Sequence, residues 1–240
     1  MSRETLCEAR PPGLWRDFRL WSTATGLLSA IERIMFRDFV KHLFPRVVLK
    51  RNLRFTYTLC LGGLAFTVLL VLLVSGSLLL FHYEPAPDRA YASILVLERD
   101  VWGGIYIRNL HRLSSHLFFA FIFMHTVRVL LTGAYQRPRQ LNWVIGCGLM
   151  ALAIFAGYTG YLLPMDQLAF WATQTGTELL RTLPCGDSLY GILVPDQVGG
   201  HLSLLRFYIL HITILPLAIL GFSGLHFYRV RKNRGVLPYL

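Results

Sequence analysis

Four histidines in apolar surroundings, His111, His125, His211 and His226, are the residues of this chain whose type and spacing could do chemistry. His111 and His125 are 14 positions apart, and His211 and His226 are 15 apart. In a helix, 14 steps leave a side chain about 40° short of its starting direction and 15 steps about 60° past it, so both members of each pair face one side. Along the axis the members are about 21 to 22 Å apart, most of the way across a hydrocarbon core of about 30 Å. Two such helices packed side by side would present two facing His pairs, one near each membrane surface. That is the geometry for two stacked haems, each with two axial imidazoles. A lone His in an apolar helix is usually a satisfied core residue, but two pairs with this spacing are hard to explain as packing. His42, His82, His116 and His201 have no partner at this interval and are read as structural or solvated.

The neighbours of the four histidines fit the same chemistry. Haem propionates need cations, and Arg108 lies three residues before His111, Arg206 five before His211 and Arg128 three after His125, each within about a turn. The alternative for each is an arginine snorkelling to lipid headgroups. A flat macrocycle between helices also needs a wall without Cβ atoms. Gly62 and Gly76 are 14 apart, as are Gly146 and Gly160, repeating the histidine interval.

The elements that must position these residues are membrane helices. The chain has 240 residues, 54% hydrophobic and 15% charged, and its mean hydropathy of +0.48 is too apolar for an ordinary soluble domain. The net charge of +11 gathers at the ends of apolar runs instead of along a stripe, which excludes nucleic acid as the partner and favours lipid headgroups. Four cysteines, Cys7, Cys60, Cys147 and Cys185, form neither a zinc pair nor a CxxCH motif. Charges before the first long apolar run argue against a cleavable signal peptide.

Residues 14 to 44 mix aromatic, aliphatic and charged residues at helical spacing and are too charged to span a bilayer. An interfacial amphipathic helix is preferred over a docking surface for a partner subunit, giving an N-terminal segment 1–53 and a transmembrane domain 54–240. Helix A is free of charge from Phe55 to Tyr83, and residues 84–100 read as a loop. Helix B runs from about Trp102 to Ala134, helix C is uncharged from Gln140 to Met165, and helix D from Phe207 to Tyr228. The connection from Asp166 to Leu205 is too long to be idle. The fold is thus predicted as all-α, an integral membrane four-helix bundle. Lys41, Arg46, Lys50, Arg51 and Arg54, then Arg137 and Arg139, then Arg229, Arg231, Lys232 and Arg234 fall on one side, which puts both termini in the cytoplasm. A bacterial inner membrane is the expected location.

Several motifs now converge. R-x-x-H-R-x-x-S at Arg108 to Ser115, H-x-x-R at His125 to Arg128, GY-x-LP-x-DQ-x-x-FW at Gly160 to Trp171 and LRF-x-x-LH at Leu205 to His211 resemble the N-terminal four-helix half of cytochrome b. The 15-residue step in helix D and the RKNRG tail resemble the split cytochrome b6 form, in which a separate subunit IV-like chain carries the remaining helices. The resemblance implies that His111 and His211 hold the haem b iron near the positive side and His125 and His226 the one near the negative side, with Ser115 among the cofactor-binding residues. It implies a quinol site lined by Gly160, Tyr161, Pro164, Met165 and Gln167. The family usually has Trp after that proline, so Met165 bears on pocket shape and quinone preference. It further implies a covalent haem c at Cys60, through a single thioether in a Cys-Leu-Gly-Gly setting, with Arg231 near that haem and a quinone-reducing site. A Cys in an apolar helix is otherwise a small packing residue. Cys7, Cys147 and Cys185 are assigned no role by the resemblance.

The function expected from this is the dihaem subunit of a quinol:cytochrome c or plastocyanin-like oxidoreductase. The complex would be homodimeric, with a Rieske iron-sulfur protein or c-type cytochrome as partner, and would couple electron transfer to proton translocation by a Q cycle. The alternative is a dihaem membrane anchor that wires the quinone pool to a periplasmic multihaem cytochrome or reductase without a Rieske partner.

Overall fold

The computed structural model describes Arg37 and residues 59–233. The chain divides into two compact units, Met1–Val47 and Val48–Leu240, and the elements below belong to the second. The expected interfacial helix over 14–44 lies outside the described residues, Arg37 apart.

Every regular element among the described residues is helical: α1 Leu61–Leu80, α2 Ala90–Arg99, α3 Gly104–Leu131, α4 Gln140–Leu162, α5 Gln167–Arg181, α6 Gly186–Leu193, α7 His201–Ile209, a π segment Leu210–Ile214 and α8 Leu215–Lys232. Four stretches are long and apolar enough to cross a membrane: α1, α3, α4 and the continuous run His201–Lys232, with mean hydropathies of 2.5, 1.4, 1.7 and 1.9. These are helices A to D of the sequence reading. Their outer faces are apolar and bare, with Val74 65%, Phe123 66% and Leu131 82% exposed, as lipid-facing surfaces are. Hydroxyls inside α1 do not break it, because Thr67, Ser75 and Ser77 donate to the carbonyls of Gly63, Val71 and Leu73 one turn earlier.

Helix α1 packs along α3, and α4 along α8. The buried cluster of Ala65, Leu69, Phe118, Ala153 and Ile219 joins the two pairs. Leu69 is seven residues from both Gly62 and Gly76, Phe118 seven from both His111 and His125, and Ala153 seven from both Gly146 and Gly160. This apolar layer therefore lies midway between the two histidine levels.

Three features differ from the sequence reading. The segment expected as a loop over 84–100 contains α2, which docks on the start of α3 so closely that a Cβ at Gly104 would stand 1.9 Å from the Leu97 carbonyl oxygen. The long connection after helix C folds into α5 and α6, with Asp166 capping α5 by accepting the Ala169 N–H at 2.8 Å. Helix D begins at His201 and widens at the π segment, where the Leu215 N–H bonds the Leu210 carbonyl. Pro216 follows directly. It lacks an N–H and would crowd the Ile212 carbonyl in a regular α-helix, so the wider turn suits it. The π turn also takes up one residue, so the 15-residue step from His211 to His226 serves as the 14-residue step of helix B does.

Candidate dihaem site

The four histidines meet in two facing pairs, each joining α3 to helix D. Ring centroids are 6.4 Å apart between His111 and His211 and again 6.4 Å between His125 and His226, with interplanar angles of 78° in both. Two metal–imidazole bonds of about 2.0 to 2.1 Å, with the half-width of each ring added, span about 6 Å, so one iron fits between the members of each pair.

Each imidazole rests on one of the four spaced glycines. A Cβ at Gly76 would meet His111 Cε1 at 3.1 Å, one at Gly62 would meet His125 Cε1 at 3.3 Å, one at Gly160 His211 Cε1 at 2.4 Å and one at Gly146 His226 Cε1 at 3.4 Å. The glycines thus lie against the imidazoles themselves, where their spacing predicts a macrocycle wall. Gly160 is the one whose replacement would displace its ring furthest. With the two-nitrogen donor sets, this cradle fits a pair of flat iron macrocycles.

The ring orientation is fixed by groups that spacing alone did not reveal. His211 Nδ1 lies 3.0 Å from the Ala156 carbonyl oxygen. A carbonyl only accepts, so Nδ1 carries the proton and Nε2 keeps its lone pair for a metal. Thr159 Oγ1 lies 3.2 Å from the same Nδ1, and Ser75 Oγ lies 2.9 Å from His111 Nδ1. Ser75 and Thr159 are 1% and 0% exposed. Each immediately precedes a cradle glycine, a pattern visible in the sequence as Ser-Gly on one helix and Thr-Gly on the other, both at the level of the His111 and His211 pair.

At the His125 level a cavity of about 370 Å³ opens, lined by Cys60, Arg128, Arg139, Asn142, Cys147 and Phe227 as well as the two histidines, a size usual for ligand pockets of about 300 to 1,000 Å³. Arg128 is where a propionate cation is expected. Arg139, only 9% exposed, joins it, and the sequence reading used that residue only for topology. Cys60 is exposed and left-handed (φ 49) at the start of α1. Arg231 is an exposed residue of the last turn of α8. At the other level Arg108 pairs with Glu98, Arg206 donates to the Ile192 carbonyl, and the Ser115 hydroxyl donates to the Arg112 carbonyl at 2.7 Å.

The residues expected to line a quinol site gather at the end of α4. Gly160 is taken up by His211, Tyr161 is 52% exposed, Pro164 follows the helix, and Gln167 opens α5. Met165 has φ 49, a left-handed conformation that costs a non-glycine residue about 1 to 2 kcal/mol. The turn is anchored from α1's end: the Tyr83 hydroxyl donates to the Leu163 carbonyl at 2.6 Å. Burial, then the neighbouring Tyr208, raises the Tyr83 pKa, which keeps the donor protonated.

A family model described as cytochrome b/b6/petB matches residues 47–234. The cytochrome b6 of Heliobacterium modesticaldum is 37% identical over 205 residues, covering 85% of this chain and 93% of that protein. The menaquinol:cytochrome c reductase cytochrome b subunit of Bacillus subtilis is 35% identical over 202 residues, covering 83% and 90%. Among solved structures, a chain of a hyperthermophilic respiratory Complex III superposes with a TM-score of 0.72 at 27% identity, over 86% of this chain and 55% of that one. With two facing histidine pairs held between four apolar helices, the chain belongs to the cytochrome b/b6 family and is a cytochrome b of the bc/b6f type.

Proposed function

We propose that this chain is the dihaem subunit of a quinol-oxidising complex, with His111 and His211 as iron ligands on the positive side and His125 and His226 on the negative side. Bound b haems supply one-electron carriers at two depths of the membrane. His111 and His211, and below them His125 and His226, hold those carriers in line between the helices. The quinol binds by the turn Gly160 to Gln167, beside the His211 cradle, where Tyr83 fixes the backbone. A quinol loses two electrons and two protons there. One electron goes to a Rieske or c-type partner and the other crosses to a quinone near Arg231. Arg128 and Arg139 neutralise carboxylates at the negative-side cavity. Cys60 takes a covalent haem c beside the same cavity, and a subunit IV-like chain completes the complex, itself a homodimer in a bacterial cytoplasmic membrane with both termini inside.

The observation that carries this reading is the equal geometry of the two histidine pairs, 6.4 Å in each. Its support from comparison is that the Bacillus subtilis relative is a menaquinol:cytochrome c reductase subunit by name. The wire without a Rieske partner is kept by one observation, Met165 in a left-handed turn where the family usually has Trp. Quinol oxidation by the purified complex, blocked by inhibitors of the positive-side site, is the expected result. A complex that carries both haems yet passes electrons without that sensitivity supports the wire and overturns the main reading.

A further inference from the structure

The two histidine pairs match in distance and angle but differ in what lies behind the rings. Behind the His111 and His211 pair stand Ser75 and Thr159, each one residue before its cradle glycine. Fourteen residues earlier on the same helices, before Gly62 and Gly146, stand Leu61 and Ile145, both buried apolar side chains.

The hydroxyl protons are already committed. Ser75 donates to the Val71 carbonyl at 2.7 Å, and Thr159 to the carbonyl of Phe155 or Ala156, both at 3.0 Å. The oxygen lone pairs are left for the imidazoles: His111 Nδ1–H donates to Ser75 Oγ at 2.9 Å, and the single His211 Nδ1–H is shared between the Ala156 carbonyl at 3.0 Å and Thr159 Oγ1 at 3.2 Å. His226 Nδ1, by contrast, is turned toward the Asn142 backbone but has no hydrogen-bond partner among the described residues.

A hydrogen bond accepted from the outer N–H of a metal-bound imidazole fixes the ring and makes its other nitrogen a stronger donor. A stronger donor favours the oxidised metal. We infer that Ser75 and Thr159 are positioning residues that lower the reduction potential of the iron held by His111 and His211 relative to that held by His125 and His226. The sign suits the proposed direction of electron flow, since an electron entering at the first pair then moves downhill to the second. This deepens the two-haem reading and rests on it.

The test is an optical redox titration of the full-length chain in its complex, in membranes, with haem content per chain measured on the same samples. S75A and T159V are expected to raise the midpoint of the positive-side couple by at least a threefold change in its reduction equilibrium, about 30 mV for one electron. The other couple should stay in place, and T159S, which keeps the hydroxyl, should restore the parent value. Conversely, L61S and I145T add hydroxyls and are expected to lower the negative-side couple. They remove no existing bond, so they carry the test if S75A or T159V loses its haem. Unchanged midpoints in both sets with two haems bound, or equal shifts of both couples, would overturn the inference. Fewer than two haems in the parent chain would overturn the two-haem reading instead.

Discussion

The four cradle glycines are chemically alike, yet the space behind them is graded, and that grading can be measured. A Cβ at Gly160 would stand 2.4 Å from His211 Cε1, whereas one at Gly146 would stand 3.4 Å from His226 Cε1, already an ordinary contact. Gly160→Ala must therefore push the His211 ring back by about 1 Å, twice the tolerance of about 0.5 Å within which a metal-binding constellation works. At Gly76 and Gly62, where the contacts are 3.1 and 3.3 Å, a few tenths of an ångström suffice. Overpacking costs about 1 to 3 kcal/mol, while alanine in a helix gains about 0.5 to 1 kcal/mol over glycine. The net for Gly160→Ala is a loss of up to about 2.5 kcal/mol in holding the His211 haem, a factor of about 60 in retention, taking 1.4 kcal/mol as tenfold. Gly146→Ala should be neutral or slightly stabilising. Difference spectra of detergent-washed membranes, scored for each haem separately, read this out. Equal haem retention in Gly160→Ala and Gly146→Ala would refute the cradle argument.

Further expectations follow from single features of the fold. Deleting Thr213, an exposed residue of the π segment, together with Pro216→Ala, which removes the ring that a regular helix would crowd, should return helix D to regular α geometry at a 14-residue histidine step and keep both haems. Deleting Val68 from the regular α1 should rotate Gly62 against Gly76 by about 100° and lose one haem, again by difference spectrum. Tyr83→Phe removes the bond to Leu163 and should cost about 1 kcal/mol in thermal unfolding of the complex, with a weaker apparent affinity for quinol and little change at the negative-side haem. Asp196 accepts from the backbone N–H of Leu202 and Ser203 and from the Ser203 hydroxyl. Burial, which would raise its pKa, is outweighed by the Ser203 hydroxyl and by backbone bonds including Leu202 and Gln197, and the carboxyl is held at about 2, against an ordinary 3.8. Its contribution is thus present above pH 3.8 and is lost as pH falls through about 2. Asp196→Ala should loosen the start of α7 by about 0.5 to 2 kcal/mol at neutral pH, seen as faster amide exchange at Leu202 and Ser203.

The membrane helices were legible because lipid imposes a strict rule: uncharged runs of sufficient length must be helical, and the run 55–83 left no other choice. The pairing of the four histidines was legible because a period of 14 or 15 marks one helical face. What spacing could not show was how 14 and 15 come to be equivalent. That needed a π turn beside Pro216, a local backbone event with no periodic signature. Helix α2 was hidden for a related reason, since the prolines and charges of its approach read as loop while its packing partner, Gly104, lies in the next element. Ser75 and Thr159 were within reach, because each stands next to a glycine already singled out. Their role rested on a hydrogen bond to a residue 36 or 52 positions away. Arg139 was counted for charge alone, and only the folded chain brings it to the cavity that also holds Arg128 and His125.

Two histidine pairs of equal geometry in one chain are proposed to hold two irons, and the most direct measurement is the haem complement of the four single variants His111→Ala, His125→Ala, His211→Ala and His226→Ala beside the parent. The parent is expected to hold two non-covalent b haems per chain, both low-spin with two nearly perpendicular imidazoles. His111→Ala and His211→Ala should lose one and the same haem, and His125→Ala and His226→Ala the other. A parent with a single b haem, or a loss pattern that pairs His111 with His125, would contradict it.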